Sequence, residues 1–281
     1  MRYVVGYTQD GRGQDALNLA TSLALTQGAE VDLVTVVDRL GSGAQRENVL
    51  ERALDQAAND ARGSGVGVTT LVKLADSFAE GLIEVAEERK AGLIVVGATK
   101  NEMLRRFTVG SVANALLHAS PVPVGLATRG YLHRSEMTRI SVGVGTRAGS
   151  DALIDVAVET AARRGLPLRF ISLVGLDADS YDAGAYKQAA RHIEMVRDWA
   201  VKNLPENHVV ETEVVRGDSV EDAIDQLDWE SGEFLVLGSS RLAQGRRIFM
   251  GGTANKILRA LPVPMVVVPR DYEAVEPKDR V

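Results

Sequence analysis

The sequence predicts an α/β protein made of two similar halves. Short runs of β-branched apolar residues, such as residues 93–96, alternate along the chain with longer segments of helical periodicity. Such runs are typical of strands buried in a parallel sheet, and the alternation indicates strand–helix–strand units with right-handed crossovers. The stretch 93–128 also recurs at 234–269. Strand-forming runs, alternating helices and the repeat together predict two parallel sheets in tandem.

The repeat is dense enough to indicate an internal duplication. Its members are separated by one constant offset, which pairs Gly97 with Gly238, Gly110 with Gly251, Pro121 with Pro262, Lys100 with Arg241, and Asn114 with Asn255. Matches this frequent at a single offset predict one domain over 1–130 and a second over 138–270, joined by a polar linker. Residues 271–281 form a charged tail, which we expect to fray.

Composition restricts the function more than it restricts the fold. The 281 residues include 45% hydrophobic and 25% charged residues, with a net charge of −6 and no cysteine. The absence of cysteine excludes disulfides, thiol catalysis and cysteine-ligated zinc. The negative charge argues against a nucleic-acid partner, and no apolar run reaches the ~20 residues of a membrane span. We therefore expect a cytoplasmic protein with no membrane or nucleic-acid partner.

The repeated stretch has an order of elements suited to a phosphate group. Residues 93–96 predict a strand that ends at Gly97, and a polar, basic loop is expected to follow. Gly110 and Ser111 then open a segment of helical periodicity, and Pro121 precedes the next strand. A helix start preceded by glycine presents unpaired backbone N–H groups and the positive end of the helix dipole to an anion.

This stretch resembles the nucleotide-binding segment of the universal stress protein family. In that family's pattern a glycine, two residues, a second glycine, nine residues and Gly-Ser or Gly-Thr follow one another. The first half has Gly97, Lys100 and Gly110-Ser111 at these places. The second half has Gly238, Arg241 and Gly251-Gly252, with Thr253 one place late. The resemblance extends over nearly all of both halves.

The resemblance implies a fold, a ligand and a set of residues. The fold would be two Rossmann-like domains of the adenine nucleotide alpha hydrolase-like type, each a five-stranded parallel sheet of order 3-2-1-4-5. The ligand would be ATP with magnesium, bound in the first half without turnover. The residues implied in the first half are Thr8, Val37, Gly97, Lys100, Gly110, Ser111 and Val112. Those of a degenerate second site are Gly145, Gly238, Arg241, Gly251, Gly252 and Thr253.

Departures from the family pattern leave two functions open. A basic residue replaces the middle glycine in both halves, and Thr8 and Gly145 replace the aspartate that meets the ribose in binding members. Losing a hydrogen bond to a charged group costs about 1.5–3 kcal/mol, so ATP affinity should be weakened. The chain is then either an ATP-binding stress-response regulator or an interaction module that no longer binds nucleotide.

No catalytic or metal-binding motif is evident. The four histidines are not spaced as metal ligands, and there is no nucleophile motif. The glycines at 11 and 13 imitate a dinucleotide fingerprint, but tight strand-to-helix turns explain them better. We therefore expect a protein that is not an enzyme.

Assembly is expected to begin within the chain. By the family's strand order, the strands after Pro121 and Pro262 lie at the sheet edges, and an uncovered apolar edge favours pairing. They should meet in an intramolecular pseudo-dimer. A homodimer and an unidentified protein partner remain further options.

Overall fold

The structure is a computed structural model that describes residues 1–39, 44–101, 106–108, 110–133, 136–145, 151–174, 183–239, 252–269 and 272. The described elements of the first half are β1 Arg2–Gly6, α1 Gly11–Gln27, β2 Glu30–Asp38, α2 Ala44–Gly63, β3 Val68–Ala75, α3 Phe78–Glu88, β4 Leu93–Gly97, β5 Thr99–Asn101, β6 Arg106–Thr108, α4 Ser111–Ala119 and β7 Val124–Ala127. Those of the second half are β8 Arg139–Gly143, α5 Asp151–Arg164, β9 Leu168–Val174, α6 Ala183–Asn203, β10 Val210–Arg216, α7 Val220–Asp225, β11 Glu233–Gly238, α8 Gly252–Ala260 and β12 Met265–Val268.

One sheet of ten strands runs through both halves. Its order is β10-β9-β8-β11-β12-β7-β4-β1-β2-β3. Within each half the strands are parallel, which confirms the predicted order 3-2-1-4-5 twice. The halves join where β12 pairs with β7 in antiparallel register, with Val266 opposite Gly125. The expected pairing of the two edge strands within one chain is confirmed.

Helices cover both faces of this sheet, and both faces are shared by the two halves. One buried cluster packs α1, α2, α5 and α6 on the sheet and includes Leu19 and Phe170. The other packs α3, α4, α7 and α8 on the opposite face and includes Leu116 and Leu258. Because each cluster contains residues from both halves, the hydrophobic core crosses the β7–β12 seam.

The linker between the halves packs against α1. Gly130 N–H donates to the Asp15 carboxylate at 3.0 Å, and the Asn18 side-chain amide donates to the Tyr131 carbonyl at 2.8 Å. Tyr131 and Met137 are buried. The predicted polar linker is therefore a docked segment wherever the structure describes it.

Two local predictions need correction. Gly11 and Gly13 were expected in a turn before the first helix, but they form its first turn because Asp10 caps the helix there. The stretch after Gly97 was expected to be a loop, but β5 and β6 pair in an antiparallel hairpin, with Lys100 opposite Phe107. This hairpin contacts α8 of the other half. Among the described residues, no helix has the length and apolarity needed to span a membrane.

Candidate functional site

The candidate site lies at the carboxyl edge of the first-half sheet, between β1 and β4. In a doubly wound sheet a ligand binds outside the carboxyl ends of the strands where the strand order reverses, and β1 and β4 are those strands. The segments that follow β1 and β4 begin at this edge, at Tyr7 and Ala98. Helices between parallel strands run back along the sheet, so α1 and α4 also begin here.

Two glycines let the start of α1 rest directly on the strand ends. A Cβ atom on Gly97 would lie 2.3 Å from the carbonyl oxygen of Arg12, and one on Gly13 would lie 2.0 Å from the carbonyl oxygen of Thr8. Any side chain at either position would force these backbones apart. Gly97 is therefore needed for packing between α1 and β4, whatever else it does for a ligand.

The N-terminus of α1 is closed by its own carboxylate. Asp10 Oδ1 accepts from Arg12 N–H at 3.1 Å and from the Thr8 hydroxyl at 2.7 Å. Asp10 Oδ2 accepts from the Arg12 guanidinium at 2.6 and 2.9 Å. The Arg12 hydrogen bond is the largest cause that lowers the pKa of Asp10 to about 2, so the group is ionised near neutral pH. The Thr8 hydroxyl is thus hydrogen-bonded to the carboxylate of the residue two positions later.

The N-terminus of α4, in contrast, begins at a residue that has no side chain to cap it. Its N-cap is Gly110, in an extended conformation with φ −63° and ψ 162°, and no described side chain makes a capping hydrogen bond there. Ser111 is exposed and Val112 is half-buried. Side chains of Asp10, Ser77 and Ser219 cap α1, α3 and α7. The first-turn N–H groups of α4 are therefore available to an anion.

The end of β2 forms one side of the crevice. Val37 is buried and pairs in register with Leu74 of β3. The hydrogen bond from Tyr7 N–H to the Val34 carbonyl is the last one between β2 and the β1 segment. Beyond it β2 continues alone on this side to Asp38. Because backbone groups alternate in direction along a strand, those of Val36 and Asp38 face the crevice and those of Val37 face β3.

The second half has a less complete version of this edge. Gly145 is exposed, with open space where a side chain would extend. A Cβ atom on Gly238 would lie 3.5 Å from Leu153, an ordinary contact. Gly252 opens α8 and Thr253 follows it, both exposed. The predicted residues Arg241 and Gly251 lie outside the described residues, as does the side chain of Lys100.

Asp10 and Arg12 are the residues of this edge that sequence reasoning missed. The signal was present, since an aspartate directly before a helical segment is a typical N-cap. The family pattern singles out the position of Thr8, two residues before this cap. Elsewhere, no group of three or more histidine, aspartate or glutamate side chains in the described part of the chain is arranged to hold a metal ion.

Comparisons with known proteins agree with this architecture. The model of the universal stress protein family matches residues 1–127 and again 136–269. Universal stress protein Rv2319c of Mycobacterium tuberculosis is 31% identical over 294 residues, which cover 96% of this chain and 100% of that protein. Universal stress protein Mb2346c of Mycobacterium bovis shows the same identity and coverage.

Solved structures show the same fold at low sequence identity. A universal stress protein from Archaeoglobus fulgidus superposes with a TM-score of 0.75 and 17% identity, covering 96% of this chain and 98% of that chain. A protein described as a putative universal stress protein from Pseudomonas aeruginosa superposes with a TM-score of 0.63 and 19% identity, covering 96% of this chain and 94% of that chain.

Proposed function

Because the chain belongs to the universal stress protein family, we propose that it is a stress-response regulatory protein whose first half binds ATP without turning it over. The observation that carries this proposal is the uncapped start of α4 at Gly110 and Ser111. It lies at the edge where the strand order reverses, beside strand ends that are closely packed through Gly97.

The chemistry of this edge fits an adenine nucleotide. The triphosphate would accept hydrogen bonds from the first N–H groups of α4 and from the Ser111 hydroxyl, and Lys100 would add a charge-assisted contact. The ribose would lie beside Thr8 and Asp10, whose side-chain oxygens can accept hydrogen bonds from the ribose hydroxyl groups. The adenine would lie against the end of β2, at residues 36–38. Magnesium would arrive on the triphosphate, as it commonly does at nucleotide sites.

The lack of turnover is part of the proposal. Hydrolysis needs a group that orients water and a group that stabilises the charge developing on the phosphate. Asp10, a carboxylate beside the proposed ribose position, is hydrogen-bonded to Arg12 and Thr8 and has a lowered pKa, so it is a poor general base. A bound nucleotide would then act as a signal and not as a substrate.

A second function, an interaction module without nucleotide, is favoured by one observation. The Thr8 hydroxyl already donates a hydrogen bond to Asp10, and the Asp10 carboxylate is paired with Arg12. A ribose would have to compete with this pairing or accept fewer contacts. The first half could then have kept the fold while losing the ligand.

Titration calorimetry with ATP and magnesium distinguishes these functions. We expect a dissociation constant of about 10–100 µM, the range for a micromolar site that has lost one charged hydrogen bond. Gly110→Val should weaken binding at least tenfold, because a β-branched side chain would crowd the phosphate. The φ of Gly110 is negative, so valine does not require a forbidden backbone there.

Gly251→Val, the sequence equivalent in the second half, is the matched control and should leave the affinity nearly unchanged. If Gly251→Val abolished binding while Gly110→Val was tolerated, the assignment of the site would be wrong. If wild-type protein gave neither heat nor a thermal shift at millimolar ATP, the interaction module would be the better explanation. ADP formation measured over hours tests the absence of turnover.

A further inference from the structure

A second cavity lies at the junction of the two halves, away from the nucleotide edge. It occupies about 90 Å³ between helices α1 and α5, above the sheet. Gly92 and Leu93, which border it, lie at the amino end of β4, whereas Gly97 lies at the carboxyl end of the same strand. The cavity is therefore independent of the proposed ATP site.

The cavity walls are mostly apolar and come from both halves. The sheet contributes Leu93, Ile140, Phe234 and Val266, and the helices contribute Leu23 and Val156. A space of this kind favours the hydrocarbon part of a ligand. At about 90 Å³ it is smaller than the ~150 Å³ cavity that accepts benzene, so a short chain fits better than a ring.

One polar side chain borders this apolar wall. Tyr3 lines the cavity and is 3% exposed, and its hydroxyl is hydrogen-bonded to none of the described residues. A hydroxyl at the surface of a cavity can donate to a ligand inside it, since polar groups in protein interiors usually have a hydrogen-bond partner. Burial raises the pKa of Tyr3, so the hydroxyl keeps its proton and is a hydrogen-bond donor at physiological pH.

The charge near this hydroxyl is positive. Arg163 lines the cavity, and both Arg163 and Arg164 lower the pKa of Tyr3 and so partly oppose the effect of burial. Glu159 pairs with Arg163. Arg164 Nε is buried without a hydrogen-bond partner among the described residues. Two guanidinium groups and one carboxylate leave an excess positive charge beside a free donor, an arrangement that suits a monoanion.

We propose that this cavity binds a short-chain carboxylate of about four carbons. The carboxylate accepts the Tyr3 hydrogen bond next to Arg163 and Arg164, and the hydrocarbon chain lies against the apolar wall. Phosphate fits poorly, because a dianion in this wall would lack the donors that replace its hydration. Tyr272, whose hydroxyl donates to the Gly92 carbonyl at 3.4 Å, forms part of the wall. A ligand here would contact both halves at their seam.

A titration of butyrate into the full-length chain tests the proposal, and calorimetry and saturation-transfer NMR measure the binding. We expect saturable binding below about 10 mM, and no competition from butylamine, which has the same chain and the opposite charge. Tyr3→Phe should weaken butyrate binding at least tenfold, since it removes only the donor. Tyr7→Phe, the same change in the segment that follows β1 outside the cavity, should have no effect.

A cavity-filling variant provides a second readout. Val156→Phe places a ring in the cavity, so it should abolish butyrate binding and raise Tm by a few degrees. The proposal is overturned if butyrate does not bind saturably, if butylamine competes equally, or if Tyr3→Phe and Tyr7→Phe behave alike. Loss of butyrate binding in Val156→Phe with unchanged ATP affinity would support two separate sites.

Discussion

At the scale of single residues, the most demanding feature is a buried charge cluster in the second half. Glu233 is 0% exposed and accepts from Arg139 and Arg169, each at 2.8 Å, and from the Ser141 hydroxyl. The Arg169 guanidinium also lies 5.0 Å from the centre of the Trp229 ring. Such a cluster is tolerated in a core only while every charge keeps its partners.

Glu233→Gln should therefore destabilise the protein by about 1.5–3 kcal/mol, because it removes the charged hydrogen bonds of two buried guanidinium groups. The loss is limited because Arg139 still pairs with Glu211 and Glu230, and Arg169 with Glu213. Urea unfolding measures the change. Glu88→Gln is the matched control: Glu88 is exposed and pairs with Lys73, so its loss should change the free energy of unfolding by no more than about 1 kcal/mol. Equal effects of the two variants would show that the cluster adds nothing.

The same cluster predicts a dependence on pH. Burial alone would raise the pKa of Glu233, but hydrogen bonds from Arg139 and Ser141 outweigh it and leave the pKa below its ordinary value. A lowered folded-state pKa stabilises the protein above the unfolded-state value, and this stability is lost as the pH falls through the folded-state value. The difference in stability between wild type and Glu233→Gln should thus shrink on acidification below about pH 4.3.

At the scale of elements, the contact between α1 and β4 distinguishes the two halves. In the first half the contact requires glycine at position 97, where a Cβ atom would lie 2.3 Å from the Arg12 carbonyl oxygen. In the second half a Cβ atom on the matching Gly238 would have room, because it would lie 3.5 Å from the Leu153 side chain. The duplicated sequence thus keeps a glycine that only the first copy needs for packing.

Gly97→Ala should destabilise the protein by about 1–3 kcal/mol, the usual effect of overpacking, because α1 must move away from the sheet. Gly238→Ala should be neutral within about 0.5 kcal/mol or slightly stabilising. Thermal unfolding of the two variants side by side measures the difference. Similar shifts in Tm for both would contradict the close approach of α1 to β4.

At the scale of the whole molecule, the halves form one structural unit. The sheet continues through the β7–β12 seam, and both hydrophobic clusters include residues from each half. The linker adds contacts from Gly130 and Tyr131 to α1. Separating the halves would expose two sheet edges and part of both clusters, so neither half should unfold without the other.

A single unfolding transition is therefore expected. Both tryptophans, Trp199 and Trp229, belong to the second half, so their fluorescence follows that half alone. Far-ultraviolet circular dichroism follows both halves. The urea midpoints from the two signals should coincide. A circular dichroism transition that continues after the fluorescence change is complete would show that the halves unfold separately.

The sequence determined the architecture because its signals are local or repeated. Apolar runs at 93–96 and 234–237 predict buried strands, and their duplication predicts two copies of one topology. Ser77 and Ser219 directly precede segments of helical periodicity, the usual position of an N-cap, and they accept hydrogen bonds from the first turns of α3 and α7. The seam of the sheet was predictable only through the resemblance to the family, because the family's strand order places the strands after Pro121 and Pro262 at the sheet edges, where an apolar strand needs a partner.

The tertiary structure alone decided how distant segments meet. The packing of Gly97 on Arg12, the hairpin contact with α8 and the cavity around Tyr3 each join residues far apart in the sequence. No local pattern encodes such contacts, because they depend on the distances between helices and strands that packing sets. Asp10 differs from these: its hydrogen bonds with Thr8 and Arg12 join residues two positions apart, so the local sequence already contained the signal for this cap.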